Sequence, residues 1–277
     1  MDFGIAIFPT DYAISMAELA PAVEQAGFES LWVAEHTHIP RSRETPWPGG
    51  DQLPKQYWHT LDPFIALTLA ATVTTKLKVA TGICLVVERD PIHTAKEVAS
   101  VDHVSNGRFI FGIGGGWNRE EMADHGTEFS TRWQLMRERV EAMKAIWTQE
   151  AAEYHGEMVD FGPMWSWPKP VQKPHPPVIL GGSGPKALER VVRYADGWMP
   201  NRGDVIERIP ELREMEKSAG RGHIPVTFYP KPGADEIERL AKAGVERCIY
   251  YVPADGRDAA LRKLEELEKR ARPYMQS

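Results

Sequence analysis

Eight short β-rich runs punctuate the chain: Phe3–Phe8, Ser30–Ala34, Lys78–Ile83, Arg108–Gly112, Val178–Leu180, Gly197–Met199, Val226–Tyr229 and Cys248–Val252. Between them lie longer amphipathic stretches, such as the one in which Ile92, Ala95, Val98, Ala99 and Val104 recur at helical spacing. Asp62-Pro63 and Asp90-Pro91 read as N-caps followed by a proline whose missing N–H is harmless at the first helical position. Gly27, Gly107 and Gly244 fall where helices end in a left-handed residue. Eight such alternations predict an α/β fold, a (β/α)8 TIM barrel rather than an open doubly wound sheet.

A faint internal echo agrees. "VEQAGFESLWV" (Val23 to Val33) and "LAKAGVERCIYYV" (Leu240 to Val252) share the order helix, Ala-Gly, apolar-Glu, strand. Two connections are long: His36 to Thr60 after the second strand, and about Ala151 to Pro177 after the fourth. Their proline-rich composition reads as stiff surface insertions rather than a linker, so residues 1–277 are expected to form a single domain.

Composition narrows the partners. With 42% hydrophobic and 26% charged residues the chain is an ordinary globular sequence. No apolar run approaches a membrane span and no leader precedes the first strand, so a cytoplasmic protein is expected. The net charge of −6 argues against nucleic acid and leaves a small molecule as the expected partner. Cys84 and Cys248 lie in strand-like surroundings without metal spacing and read as buried thiols.

In such a barrel the chemistry sits at the C-terminal ends of the strands. Those ends supply Phe8 to Thr10, then Glu35, His36 and His38, then Thr81, Gly82 and Ile83. They continue with Gly114 to Asn118, Gly181 to Gly184, Asn201 and Arg202, and Tyr229 and Lys231. "RFIFGIGGGWN" (Arg108 to Asn118) is neither a dinucleotide fingerprint, since Trp117 replaces the last glycine, nor a P-loop. "GGSGPKALERV" (Gly181 to Val191) is the better anion site, with glycines opening a helix and Lys186 adding charge, although an ordinary capped helix reads the same way. "EHTHIP" (Glu35 to Pro40) offers an H-x-H pair, but strands five and six bring no further metal ligand. His36 is then a general acid/base or hydrogen-bonding group, or a plain loop histidine. Trp47, Trp58, Trp117, Trp165 and Trp167 either line a pocket or pack the core. Trp58 and Tyr229 are the positions taken as substrate contacts.

The stretches "ESLWVAEHTHIP", "LDPFIALTLAATVTTKLKVATGI", "DPIHTAKEVASVDHVSNGRFIFGIGGGWNREE", "RWQLMRERVEAMKAIW" and "ILGGSGPKALERVVRYADGW" together resemble the luciferase-like monooxygenase superfamily. Within it the chain looks most like the coenzyme F420-dependent oxidoreductases. The resemblance implies a flavin or deazaflavin at the barrel mouth and a non-prolyl cis peptide, which falls on Gly82–Ile83 beside Thr81. It implies that Gly181, Gly182, Ser183, Gly184 and Lys186 hold the cofactor phosphate, that Gly114, Gly115 and Gly116 admit its ribityl chain beside Trp117, and that Glu35 and His36 flank the ring. Sugar-phosphate dehydrogenases of this family carry a catalytic glutamate where Trp117 stands, which argues against that activity.

The resulting expectation is an F420-dependent oxidoreductase of a small, partly apolar organic molecule, with His36 donating a proton or hydrogen bond and Glu35 orienting it. The alternatives are a reduced-FMN monooxygenase and a non-catalytic carrier of the cofactor. A homodimer is expected by analogy with relatives.

Overall fold

The computed structural model describes residues 1–201, 205–230 and 234–275. Its barrel strands are β1 (Asp2–Ile7), β2 (Ser30–Val33), β3 (Lys78–Thr81), β4 (Phe109–Ile113), β7 (Val178–Gly181), β8 (Gly197–Met199), β9 (Thr227–Phe228) and β10 (Arg247–Tyr251). Each falls on one of the eight predicted runs. All their pairings are parallel, in the order β8-β7-β4-β3-β2-β1-β10-β9, and a Trp198–Val226 bridge joins the two edges. That bridge closes the barrel.

The helices are α1 (Met16–Gln25), α2 (Pro63–Thr72), α3 (Pro91–Val104), α4 (Arg119–Asp124), α5 (Arg132–Thr148), α6 (Ala187–Tyr194), α7 (Val205–Ser218), α8 (Ala234–Ala243) and α9 (Arg257–Ala271). The Asp62 carboxylate accepts from Phe64 N at 2.9 Å and Ile65 N at 3.1 Å, and Asp90 from His93 N at 2.8 Å, so both aspartates cap as expected. The echoed joints also share one construction. Glu29 N donates to Phe3 O while its carbonyl accepts from Lys78 N; Glu246 N donates to Val226 O while its carbonyl accepts from Asp2 N. Each joint therefore extends the ladder between the two strands beside it.

Ala6, Trp32, Ala80, Ile110, Ile179, Met199 and Ile249 form a cluster inside the barrel, with Ile83 and Tyr229 packed on it. The interior is a filled core that floors the mouth rather than a pore. On α3, Ala95, Val98 and Ala99 face the core, whereas Ile92 and Val104 lie on the outer surface.

The second insertion departs from the expected loop. It holds an antiparallel hairpin, β5 (Ala152–His155) and β6 (Asp160–Met164), paired outside the barrel. The buried Glu138 of α5 fixes its turn by accepting from Met158 N at 2.7 Å and Val159 N at 3.2 Å. The first insertion stays irregular apart from a 3-10 turn at Lys55–Trp58. It is tied to the barrel by a Thr10–Thr60 bridge and by Thr60 Oγ1 donating to His36 O at 2.7 Å. Cys84 and Cys248 are buried free thiols. Among the described residues no helix is long and apolar enough to cross a membrane.

Candidate active site

The strand ends open into a cavity of about 780 Å³, lined by residues that all eight barrel strands deliver. Its floor is Gly82 and Ile83 together with Tyr229, whose ring stacks on Tyr251 at 5.2 Å. The Gly82–Ile83 peptide is cis, as the resemblance implies. Thr81 is fully buried just beneath, its hydroxyl donating to Gly112 O at 2.7 Å. Burial first, then the Tyr251 hydroxyl, pushes the Tyr229 phenol well above its ordinary range, so it stays neutral.

One wall is aromatic. The Tyr57 ring packs against Phe8 at 4.8 Å, His36 at 5.1 Å and Trp117 at 6.4 Å between centroids. Trp117 also meets the His36 ring edge-on at 5.9 Å. Trp58, expected to touch substrate, is 49% exposed and does not line the cavity; Tyr57, one residue earlier on the same turn, takes that place.

His36 is held by a residue the sequence reading did not single out. Its Nδ1 lies 2.8 Å from Glu121 Oε2, and Thr37 N donates to Glu121 Oε1 at 3.2 Å. Glu121 is fully buried and reaches His36 because Asn118 caps α4, its Oδ1 accepting from Glu121 N at 3.4 Å. An Asn-x-x-Glu helix start was the signal available in "WNREE". Because a carboxylate only accepts, the His36 proton facing it sits on Nδ1 and leaves Nε2 as the free ring nitrogen.

Glu35 does not orient His36. Its Oε2 accepts from Leu85 N at 2.6 Å, and its Oε1 accepts from Arg89 Nε at 2.6 Å. Arg89 in turn reaches Asp62 at 2.5 Å and Glu97 at 3.1 Å. Burial works against the Arg89 charge, but Glu35 overrides it and raises that pKa. A buried carboxylate saturated in this way ties β2 to the segment after β3; the orienting role expected of Glu35 falls to Glu121.

The glycines after β4 have a different cause from the one expected. A Cβ on Gly114 would stand 2.2 Å from Ile83 Cδ1, one on Gly115 2.9 Å from Trp133, and one on Gly116 2.5 Å from Met122 Cε. Their missing side chains are occupied by protein neighbours, although their backbone still lines the cavity.

Opposite, Gly181, Gly182, Ser183 and Gly184 pass along the cavity into α6. Positions beside the Cα of Gly182 and Gly184 are open, with nothing within 4 Å. Ser183 Oγ accepts from Asn201 N at 3.0 Å, and Arg208 Nη1 donates to Ser183 O and Gly184 O at 3.2 Å each. These contacts hold the loop shape. An exposed backbone loop entering a helix suits an anionic group. Lys186 is exposed and lines an adjoining groove with Arg137 and Arg193; among the described residues the cation lining the cavity is Arg190, one turn later, 4.0 Å above the Trp133 ring. Arg132 and Arg119 stack on Phe129 at 3.5 Å and 4.3 Å. Burial first, then Arg190 and Arg119, lowers the Arg132 pKa.

Arg202 and Lys231 lie outside the described residues. His38 does not join His36. It binds Asp124 Oδ2 at 2.9 Å and, through Thr37 Oγ1, reaches His125. Among the described residues, no group of three or more His, Cys, Asp or Glu side chains converges as a metal site.

An uncharacterised protein of Mycobacterium tuberculosis is 42% identical over 275 residues, covering 96% of this chain and 97% of that protein. Among solved structures, a coenzyme F420-dependent tetrahydromethanopterin reductase from Methanopyrus kandleri superposes with a TM-score of 0.77 at 22% identity, covering 99% of each chain. A monooxygenase from Streptomyces bottropensis superposes with a TM-score of 0.79 at 20% identity, covering 100% of each. Both share the barrel. The profile of the luciferase-like monooxygenase family matches residues 2–276, and the chain belongs to that family.

Proposed function

We propose that this protein is an F420-dependent oxidoreductase acting on a small, partly apolar organic molecule. The observation that carries the reading is convergence. One cavity holds a buried His36–Glu121 pair on one side and the open Gly181–Gly184 backbone with Arg190 on the other. Its volume lies in the usual range for small-molecule and cofactor sites, and its aromatic wall suits a flat ring.

When bound, the deazaflavin supplies hydride chemistry at its ring. The chain supplies position and a proton. Gly182, Gly184 and Arg190 hold the phosphate; Gly82, Ile83 and the backbone of Gly114–Gly116 support the ring and its linker. His36, when it carries a proton on both ring nitrogens, donates the Nε2 proton to the reacting oxygen of the substrate, while Glu121 holds the Nδ1–H and so the ring orientation. Tyr57, Trp117 and Tyr229 meet the substrate.

F420 over FMN is supported by the basic surface beyond the phosphate cradle. Arg190, Arg132, Arg119, Lys186 and Arg193 lie around Trp133 and Phe129. F420 carries carboxylates beyond its phosphate, whereas FMN ends there. The F420-dependent reductase of matching fold supports the same choice. The monooxygenase of matching fold supports a second reading, reduced-FMN oxygen activation. An anaerobic screen following reduced F420 absorbance against carbonyl and enone acceptors tests the first, and oxygen uptake with reduced FMN tests the second. Oxygen uptake with FMN and silence with F420 overturns the proposal.

The homodimer is proposed on α2. This helix is largely apolar: its inner face is buried, Ile65 and Leu69 remain 69% and 43% exposed, and Val73 just beyond its end is 40% exposed. Such a helix is expected to be covered on both sides, and a second copy covers it. Light scattering should then give a dimer for the wild type and a monomer for Ile65→Lys; a monomeric wild type, or a variant that stays dimeric, refutes the pairing.

A further inference from the structure

One buried acid has no part in the proposed chemistry. Glu88 ends the 3-10 turn Val86–Glu88 that follows β3. It is 7% exposed, and neither carboxyl oxygen has a hydrogen-bond partner among the described residues. Its Oε1 stands 3.7 Å from the place a Cβ on Gly116 would take, immediately behind the glycine turn of the cavity wall. Three hydrogen bonds hold the turn in this place. Glu88 N donates to Leu85 O at 2.9 Å, Thr127 Oγ1 to Val87 O at 2.5 Å, and Arg139 Nη1 to Val86 O at 2.8 Å.

The charged groups facing Glu88 are Glu121 from α4, Glu35 from the end of β2, the adjacent Arg89, and Arg139 from α5. Arg89 is committed to Glu35, Asp62 and Glu97. Of the three carboxyls, Glu35 has Arg89 and Leu85 N, and Glu121 has His36 and Thr37 N. Glu88 has no donor. Carboxyls crowded in a dry site do not all ionise, and the proton settles on the one that no donor stabilises as an anion.

We infer that Glu88, buried without a donor behind the glycine turn, is the carboxyl of this wall that carries the proton, and that its neutrality leaves Glu121 free to serve as the carboxylate that orients His36. Glu88 is thus a positioning residue acting through Glu121. Burial first, then the charges of Glu121 and Glu35, pushes its carboxyl up to about 9, against the opposing pull of Arg89 and Arg139. The protonation state stands apart from the proposed activity; only its consequence for turnover rests on that reading.

The sign of the pH effect follows. The folded chain keeps a proton that the unfolded chain sheds near 4.5, so stability falls as pH rises from about 4.5 to about 9. Gln cannot ionise. The Tm of Glu88→Gln relative to wild type should therefore climb steadily from pH 5 to pH 9, roughly the window between those two values. Parallel Tm curves overturn the inference. In unsubstituted protein labelled with 13C at glutamate carboxyls, one signal should titrate near the alkaline end of that window, and its absence also overturns it. The His36 Nδ1–H resonance of wild type should shift or broaden above pH 8, roughly one unit below that midpoint, and stay fixed in Glu88→Gln. The same shift in both proteins removes Glu88 from the His36 array. None of these readouts needs a cofactor, so failure here leaves the proposed activity to its own test.

Discussion

Replacing Arg89 by Met separates a structural Glu35 from a catalytic one. Arg89 is 14% exposed and Glu35 2% exposed at their side chains, and the guanidinium meets the carboxylate at 2.5 and 2.6 Å. Methionine keeps much of the apolar stem but removes the charge, whose guanidinium carbon stands 4.9 Å from the centre of the Phe64 ring. Glu35 is then a buried anion with Leu85 N as its remaining strong donor. Breaking a buried pair in this way costs about 3–5 kcal/mol. At about 2–4 °C per kcal/mol, Tm should fall by roughly 6–20 °C in thermal unfolding followed by circular dichroism. The double variant Arg89→Met/Glu35→Gln removes the stranded charge while Gln still accepts from Leu85 N. It should recover about 1–3 kcal/mol of the loss, the size of coupling expected for residues in contact. A double variant no more stable than Arg89→Met refutes the assignment. So does a Glu35→Gln protein of unchanged stability that has lost turnover.

Three further substitutions bear on the site. Glu121→Gln keeps the shape of the His36 contact without its charge; kcat should fall about 100-fold or more with KM little changed, and an unaltered kcat removes the orienting role. Arg190→Ala should weaken F420 about 10- to 100-fold by calorimetry, the worth of a charged hydrogen bond, while riboflavin, which has no phosphate, should bind as before. Equal losses for both would place Arg190 away from the anion. Gly112→Ala sets a Cβ 2.0 Å from the Thr81 carbonyl oxygen, main chain that cannot step aside. It should cost about 1–3 kcal/mol or more in urea unfolding, and a neutral result contradicts the β3–β4 packing described.

The barrel was readable because strand runs, caps and left-handed glycines are local features. Asp62, Asp90, Gly27, Gly107 and Gly244 all do what their neighbours in sequence imply. The β5–β6 hairpin was not, because what secures its turn is Glu138, a helical residue that composition does not connect to it. The site shows the same division. Glycine loops at strand ends mark where the cavity is, but partners depend on contacts across the barrel. Glu35 is adjacent to His36 in sequence and turns to Arg89, whereas Glu121, 85 residues away, turns to His36. Lys186 reaches only the outer groove, whereas Arg190, one helical turn later, lines both that groove and the cavity. Helical spacing found α3 but not its facing, since Ile92 and Val104 lie on the outer surface.

The most direct test of a cofactor held between the His36–Glu121 pair and the Gly181–Gly184 loop is an equilibrium titration of the purified protein with F420 and, separately, with FMN, followed by cofactor fluorescence. Saturable quenching by F420 at micromolar concentration, with FMN bound more weakly, is the expected result. Absence of binding by both at that concentration would contradict it.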